Sequence, residues 1–462
     1  MKTFTDLSEA LTKKDKVQVL DLSNQSLNRV PIEIGQLTNL TYLQLGKNQI
    51  EKLPPEIFRL INLTELRVEE NQIKKIPSEI SQLTNLTHLH LGKNQIEEIP
   101  SEIFRLINLT YLHLGSNQIE EIPSEIGQLI NLTYLHLHAK VVPPQIGQLI
   151  NLKHLYLDAE MVPSEIGQLI NLTYLHLHTK VVPPQISQCN NLMHLRLGGN
   201  QIREIPPEIG QLTNLTEFKA ERHQIEGIPA EIGQLPNLMY LHLGDNQIRE
   251  IPPEIGQLTN LTEFRVEGNQ IKVIPAEISQ LTNLTYLHLG RNQIEEIPPE
   301  ISQMVKLNIL RLSFNQIKVI PSEIGQLTNL VEFRIGQNQI EEIPPEIGQL
   351  TSLVTFEAGS NQIEKIPPEI SQMVSLHSLR LTSNQIKEIP TEISQLSSLM
   401  LIYLADNQIQ KIPPEFGQLS QLLELNLWNN LVDIIPSEIG CLAKLTRLEM
   451  GANRITFIPS NI

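Results

Sequence analysis

Cysteine, aromatic residues and positive charge are scarce in this sequence, and each scarcity closes off a class of protein. There are two cysteines, Cys189 and Cys441, in 462 residues, and no C-x-x-C pair, so neither a disulfide scaffold nor a thiolate redox or zinc motif is available. Aromatics make up 4% of the chain, with one tryptophan, so the core has to be aliphatic. Against 51 acidic side chains stand 35 basic ones, and the net charge of -16 repels phosphate backbones and anionic lipid. Nucleic acid is therefore excluded as a partner. No run of about 18 apolar residues exists to cross a bilayer, and the opening MKTFTDLSEALTKKDK lacks the apolar stretch of a secretory signal. These two absences predict no membrane insertion and a cytoplasmic location. The signatures G-x-x-x-x-G-K-[ST], H-E-x-x-H and G-x-S-x-G are missing as well, so no catalytic residue, cofactor or dedicated metal site is assigned.

What the chain does have is a period. From Leu40 the phrase LTYLQLGKNQI recurs at Leu63, Leu86 and Leu109, a step of 23 residues. A 20–29-residue period carrying L-x-x-L-x-L-x-x-N-x-I is similar to the leucine-rich repeat. The register extends from Val17 to a truncated unit at Leu445, about twenty units in all. Residues 1–16 form a separate opening, in which Asp6 and Glu9 bracket a helix start and Leu7, Ala10 and Leu11 are placed to cover the first unit. The last unit stops at Ile462 with no comparable cap, which points to further protein beyond it. The predicted domain organisation is thus an N-terminal helical cap over 1–16 and one solenoid over 17–462.

Each position of a unit has a physical reason. Leu287 and Leu289 alternate with Tyr286 and His288, so one pair faces a core and the other faces out of a short strand. Asn292 can satisfy backbone groups where the chain leaves the strand, and repeated Asn side chains should form a ladder. Ile294 and Ile297 return to the core, and Pro298-Pro299 opens a tight turn. The fold class expected is an α/β solenoid, a leucine-rich-repeat horseshoe with a parallel sheet on the concave side and 3₁₀ turns or loops on the convex side. With strands about 4.8 Å apart, the two cysteines are separated by roughly 50 Å and both thiols should be free, Cys189 as a core residue and Cys441 as a surface one.

Three units between 132 and 191 are shortened to twenty residues, HAKVVPP replacing the longer form. Lys140, Glu160 and Lys180 are read at the asparagine position there, so the ladder should be interrupted. Gln25 and His223 are the other departures.

In a solenoid, function resides in the side chains the fold does not use. All eight tyrosines occupy outward strand positions: Tyr42, Tyr111, Tyr134, Tyr156, Tyr174, Tyr240, Tyr286 and Tyr403. So do His88, His90, His113, His136, His138, His154, His176, His178, His194, His242 and His288, with Arg196, Arg265, Arg311, Arg334 and Arg380 in the same columns. The turns repeat a glutamate after the proline, as at Glu56, Glu79, Glu254 and Glu369. The expected picture is an acidic back and a front that is aromatic, imidazole-rich and locally basic. Rings and guanidinia of this kind dominate protein-binding hot spots, so these columns from Tyr111 onward are the candidate partner-binding surface. The alternative is that T-Y-L-H is inherited by duplication and each ring stabilises its cross-strand neighbour. Trp428 and Phe314 are candidate anchors, or terminal packing residues. His90, His113, His136 and His138 lie close enough on adjacent strands to suggest a metal, and unperturbed imidazoles would make binding vary with pH near neutrality. Arg454-Ile455-Thr456-Phe457 resembles a short phosphatase-docking motif, but Ile455 is already required for the core.

The phrase I-P-x-E-I-G-Q-L-T-N-L, at Ile251 to Leu261 and in the same form at Ile320 to Leu330, resembles the repeats of plant intracellular Ras-group leucine-rich-repeat proteins and of the related animal Ras-binding scaffold. The opening before LDLSNQSL (Leu20 to Leu27) is similar to the repeat arm of bacterial Roco proteins. That resemblance implies a non-catalytic intracellular scaffold that recognises a folded protein, with a small Ras-like GTPase as the candidate partner, or alternatively a sensor arm detached from a Roco-type GTPase. No contact residue carries over, because the matching phrase is structural.

Overall fold

The computed structural model describes residues 2–199 and 201–460 and divides into two compact units, Met1–Ala220 and Glu221–Ile462. Ile462, where the truncated last repeat ends, lies outside the described residues.

In the first unit, Asp6 caps the helix Leu7–Thr12 by accepting the Glu9 amide at 2.7 Å, and Ala10 is fully buried. Leu7 and Leu11 are only half-buried, whereas Phe4 is buried. Phe4 belongs to a strand, Thr3–Phe4, that pairs in parallel with Val19–Asp21. The opening thus adds a strand as well as a helix, which the amphipathic reading of 1–16 did not foresee.

The repeat starting at Leu109 shows how each unit is built. Its strand Tyr111–His113 buries Leu109, Leu112 and Leu114 and turns Tyr111 and His113 outward. Each fully buried aliphatic of this kind contributes about 1.5–3 kcal/mol, so the stack of such layers dominates stability. Ser116 then takes a left-handed conformation, φ 57°, which turns the chain off the strand. Asn117, the next residue, closes that turn: its Nδ2 donates to the Leu114 and Leu91 carbonyls at 2.9 and 3.1 Å, and its Oδ1 accepts the Ile96 amide at 3.0 Å. The backbone groups freed by the turn would otherwise be buried without partners. After Pro123 the 3₁₀ segment Ser124–Gln128 buries Ile126 and ends at Leu129, whose ψ of 53° cannot continue a helix. A second ladder was not anticipated. The asparagine of each L-x-N-L phrase reaches back one repeat, as in Asn131 Nδ2 to the Ile107 carbonyl at 2.9 Å.

The shortened repeats differ from the sequence reading. Lys140 does not occupy the asparagine position. In the normal repeat four residues, 115–118, separate Leu114 from Ile119; in the shortened one His138 alone separates Leu137 from Ala139. One intervening residue preserves the two-residue alternation, so the strand runs on as Tyr134–Val141 and pairs Ala139 with Ile119 and Val141 with Glu121. Lys140 is exposed and meets Glu120 at 2.6 Å. Glu160 and Lys180 are likewise exposed, next to the buried Ala159 and Thr179. No left-handed turn is made, so no buried donor needs an asparagine, and the ladder stops as expected. Gln25 also leaves the ladder, donating instead to the Thr5 carbonyl of the cap at 2.8 Å.

The second unit repeats the 23-residue design from Tyr240–His242 to Arg447–Glu449, all parallel. Phenylalanine replaces the central leucine at Phe264, Phe333 and Phe356, each fully buried. His223, at a ladder position, is buried and donates its backbone amide to Asn246 Oδ1 at 3.2 Å. Both units therefore carry the expected parallel sheet and 3₁₀ turns.

Candidate recognition surface on the strand face

The strands of the first unit set ring against ring. In-register pairing aligns Tyr111, Tyr134, His154, Tyr174 and His194 in one row and His113, His136, Tyr156, His176 and Arg196 in the next. Tyr111 and Tyr134 stack at 4.2 Å, and His113 and His136 at 4.5 Å. Tyr156 sits within 5.0 to 5.8 Å of Tyr134, Tyr174, His136 and His176. The row ends with the Arg196 guanidinium 5.6 Å from the Tyr174 ring and bonded to Glu217 at 2.7 Å. Because the rings lie against one another along the stack, Tyr111, His113, Tyr134 and His136 are each only partly exposed. His90 is the exception. Stacked 4.4 Å from Tyr111, it is only 7% exposed and contributes little free surface.

Small residues make this stacking possible. A Cβ on Gly115 would collide with the His136 ring, and one on Gly92 with the His113 ring. Gly92 and Gly115 are therefore part of the surface, giving His113 and His136 of the next repeats room to lie flat.

Stacking also fixes protonation. Burial pushes His136 down to about 4 and His90 down to about 3, and it lowers His113, His154 and His176. Neighbouring cations add to the effect, Arg67 at His90 and Arg196 at His176. These imidazoles are neutral at pH 7, contrary to the expectation that they titrate near neutrality. Burial likewise raises the Tyr111 and Tyr134 phenols and takes Tyr174 up to about 12. Tyr111, His113, Tyr134 and His136 therefore form an uncharged donor and acceptor surface.

Among the described residues, no group of three His, Cys, Asp or Glu is placed to hold a metal ion. His138 and His178 flank Asp158 on the extended strands, with Nδ1–Oδ2 separations of 3.7 and 2.9 Å. Both cysteines are free. Cys189 is buried, its thiol pushed up to about 12 by desolvation, and Cys441 is exposed.

The second unit carries a different surface. Arg265 pairs with Glu263 and lies 4.6 Å from the Tyr286 ring. Arg311 bonds Glu332 at 2.7 Å, and Arg334 meets Glu332 at 2.8 Å and Glu357 at 3.6 Å. His288 sits 3.3 Å from Glu267, and His242, 7% exposed, sits 3.0 Å from Glu263. The expected basic front is thus compensated locally by glutamates on the same strand face, Glu263 and Glu332 in the neighbouring column and Glu357 in the arginine column. Tyr240 is exposed, Arg380 lies 4.9 Å from the Tyr403 ring, and the Tyr403 hydroxyl donates to Glu424 at 2.6 Å. Trp428 and Phe314 are about half exposed, at 47% and 45%. Phe314 holds the left-handed turn position, φ 64°, with Arg291 5.5 Å from its ring.

Comparison with known families decides the class. Residues 3–106, 100–192, 180–267, 230–293 and 276–362 match the leucine-rich repeat region family, and 397–455 match the leucine rich repeat family. The chain belongs to the leucine-rich repeat proteins. Among solved structures, this leucine-rich repeat protein is similar to one from Leptospira interrogans, with 36% identity over 87% of this chain and all of that one, TM-score 0.74. It is also similar to the plant peptide hormone receptor RGFR1 in complex with RGF2, at 30% identity, 94% and 86% coverage and TM-score 0.54. A third is the Arabidopsis receptor kinase HAESA in complex with the peptide hormone IDA and the co-receptor SERK1, at 25% identity, 95% and 83% coverage and TM-score 0.63. No curated protein matches the sequence. Among the described residues, no helix is long and apolar enough to cross a membrane.

Proposed function

We propose that this leucine-rich repeat protein is a non-catalytic scaffold that binds a protein partner along the strand face of its first unit. The observation that carries the reading is the continuous run of ring contacts from Tyr111 to His194, stacked at Tyr111–Tyr134 and His113–His136 and tilted or edge-on beyond them. Such a surface buries aromatic area at low entropic cost and offers hydrogen-bonding edges without the desolvation cost of charges. The guanidinia of the second unit are already paired and gain less from a partner. The likeness to receptors solved with peptide hormones supports a protein or peptide ligand as the class.

The proposal extends to a cytoplasmic signalling role, with a small Ras-like GTPase as the first partner to test. That part rests on the repeat phrase at Ile251 to Leu261. The test is affinity capture with mass spectrometry, using wild type and a variant in which Tyr134, His136, Tyr174 and His176 are all alanine. The partner should be lost from the variant and retained by an Arg311→Ala/Arg334→Ala control. Unchanged capture by the fourfold variant would place recognition elsewhere, and binding of a GTPase only in its GTP-analogue form would support the signalling role.

A further inference from the structure

The deletion that shortens three repeats gives them outward positions the longer repeats lack. Where a 23-residue unit turns off its strand at a left-handed residue such as Ser116, these strands run on, as Tyr134–Val141, His154–Asp158 and Tyr174–His178. In-register pairing then sets His138, Asp158 and His178 side by side on the outer face. Beyond the buried Ala139, Ala159 and Thr179 come Lys140, Glu160 and Lys180, all exposed. The strand face is wider here, and each added row has a carboxylate in its middle.

Those two carboxylates line a hollow of about 140 Å³, together with His178, Lys180 and Gly199. Its shape is built by a glycine. A Cβ on Gly199 would collide with the His178 ring, and the φ of 90° there is one that favours glycine. The His178 imidazole can therefore lie against the backbone of the next repeat with its Nδ1 2.9 Å from Asp158 Oδ2, while His138 Nδ1 stands 3.7 Å away on the other side. Two carboxylates against the one ammonium of Lys180 leave the hollow an excess of negative charge.

What the hollow lacks is an arginine. Elsewhere on the strand faces, carboxylates close to rings are met by a guanidinium of this chain. Glu217 is met by Arg196, 5.6 Å from the Tyr174 ring, Glu263 by Arg265, 4.6 Å from the Tyr286 ring, and Glu332 by Arg311, 5.4 Å from the same ring. Asp158 has imidazoles on both sides and no guanidinium. Lys140, on the strand before Glu160, is bonded to Glu120 instead at 2.6 Å, and among the described residues no ion pair holds Glu160.

We infer that this hollow receives an arginine side chain of the protein partner, its guanidinium bonded to Asp158 and Glu160 and flanked by the His138 and His178 imidazoles. The inference rests on the strand-face reading above and names the chemistry a partner brings to it. Arginine suits the site better than lysine, because its planar fork bonds carboxylate oxygens in pairs while its faces lie against rings. Arginine is also among the residues that dominate interface energetics. A neutral side chain in its place would desolvate both carboxylates without compensation.

The probe is Nα-acetyl-arginine amide, whose guanidinium is its only charge, titrated into histidine-labelled protein and followed by imidazole NMR. The His138 and His178 resonances should shift saturably with a millimolar constant, and the uncharged citrulline analogue should move neither. Asp158→Asn/Glu160→Gln, with an unaltered circular dichroism spectrum, should abolish the response and weaken partner capture about tenfold, the effect of losing one charge-assisted contact. The fourfold ring variant should lose the partner and keep the arginine response. If that variant captured the partner unchanged, the ring strip would drop out of recognition while the carboxamide pair still tested the hollow by itself. A response that does not saturate, that the citrulline or lysine analogue equals, or that survives the carboxamide pair would overturn the inference, and so would partner capture that the carboxamide pair leaves unchanged.

Discussion

The rings of Tyr111 and Tyr134, on neighbouring strands, lie 4.2 Å apart and within 5° of parallel. Neither is part of the hydrocarbon core, yet each is half-buried by the other, so the strip has a structural role as well as a recognition role. Tyr134→Ala should lower unfolding stability by about 1–2 kcal/mol, the stacking contribution plus lost area. Urea denaturation measures this, and a change near zero would mean that the rings do not support one another.

The lowered imidazoles set a pH dependence whose sign is fixed. In the unfolded chain these histidines take up protons near 6.5, whereas folded His136 resists until about 4 and His90 until about 3. Between those limits the unfolded state holds more protons, so stability falls as pH drops. It should be flat from pH 8 to about 7 and decline from about 6.5 toward 4. His136→Gln should flatten the decline, as read by the melting temperature across that range. Partner affinity should likewise hold constant above neutrality.

The asparagine ladder and the lysine that was read into it make opposite expectations. Asn292 satisfies the Ile271 amide and the Val266, Leu289 and Gly290 carbonyls from a buried position. Asn292→Ala should cost about 2–4 kcal/mol, since several buried groups lose their partners together. Lys140→Ala removes an exposed ion pair with Glu120 and should cost less than about 1 kcal/mol. Equal effects in chemical denaturation would contradict the assignment of Lys140 to an outward strand position.

That contrast shows how far the sequence could be read. Parity along the strand, Leu112 inward and Tyr111 outward, follows from a period of two and needs no partner, so it was legible. The place of Lys140 was not. Three deleted residues allow alignment either from the leucines before the gap or from the prolines after it, and only the pairing of Ala139 with Ile119 selects the second. The neutrality of His136 was equally hidden, because it comes from rings 20 or more residues away. The pairing of Arg311 with Glu332 left a weak trace, glutamate in one repeat beside arginine in the one before, visible only when two columns are read together.

Cysteine chemistry offers a check on burial. Cys189 lies within the core, its Sγ 3.3 Å from the Ile166 carbonyl, and a thiol raised to about 12 forms almost no thiolate at neutral pH. Exposed Cys441 should react rapidly with an aromatic disulfide reagent and Cys189 only after unfolding. Two rapid equivalents in native protein would contradict the buried assignment.

The sharpest separation of recognition from stability comes from a glycine. Removing rings deletes area and stacking together, so lost binding after such a change has two explanations. Gly115 touches no partner through a side chain of its own, and its φ is not left-handed, so alanine is tolerated by the backbone there. The three atoms nearest the added methyl all belong to the flexible His136 ring, which has to swing off its neighbour His113. Gly115→Ala should therefore shift the melting temperature little, by less than about 1 kcal/mol in stability, while weakening partner capture several-fold. Gly227, whose Cβ would meet open space, supplies the matched control. If Gly115→Ala and Gly227→Ala bind alike, the flat arrangement of the imidazoles is not what a partner reads.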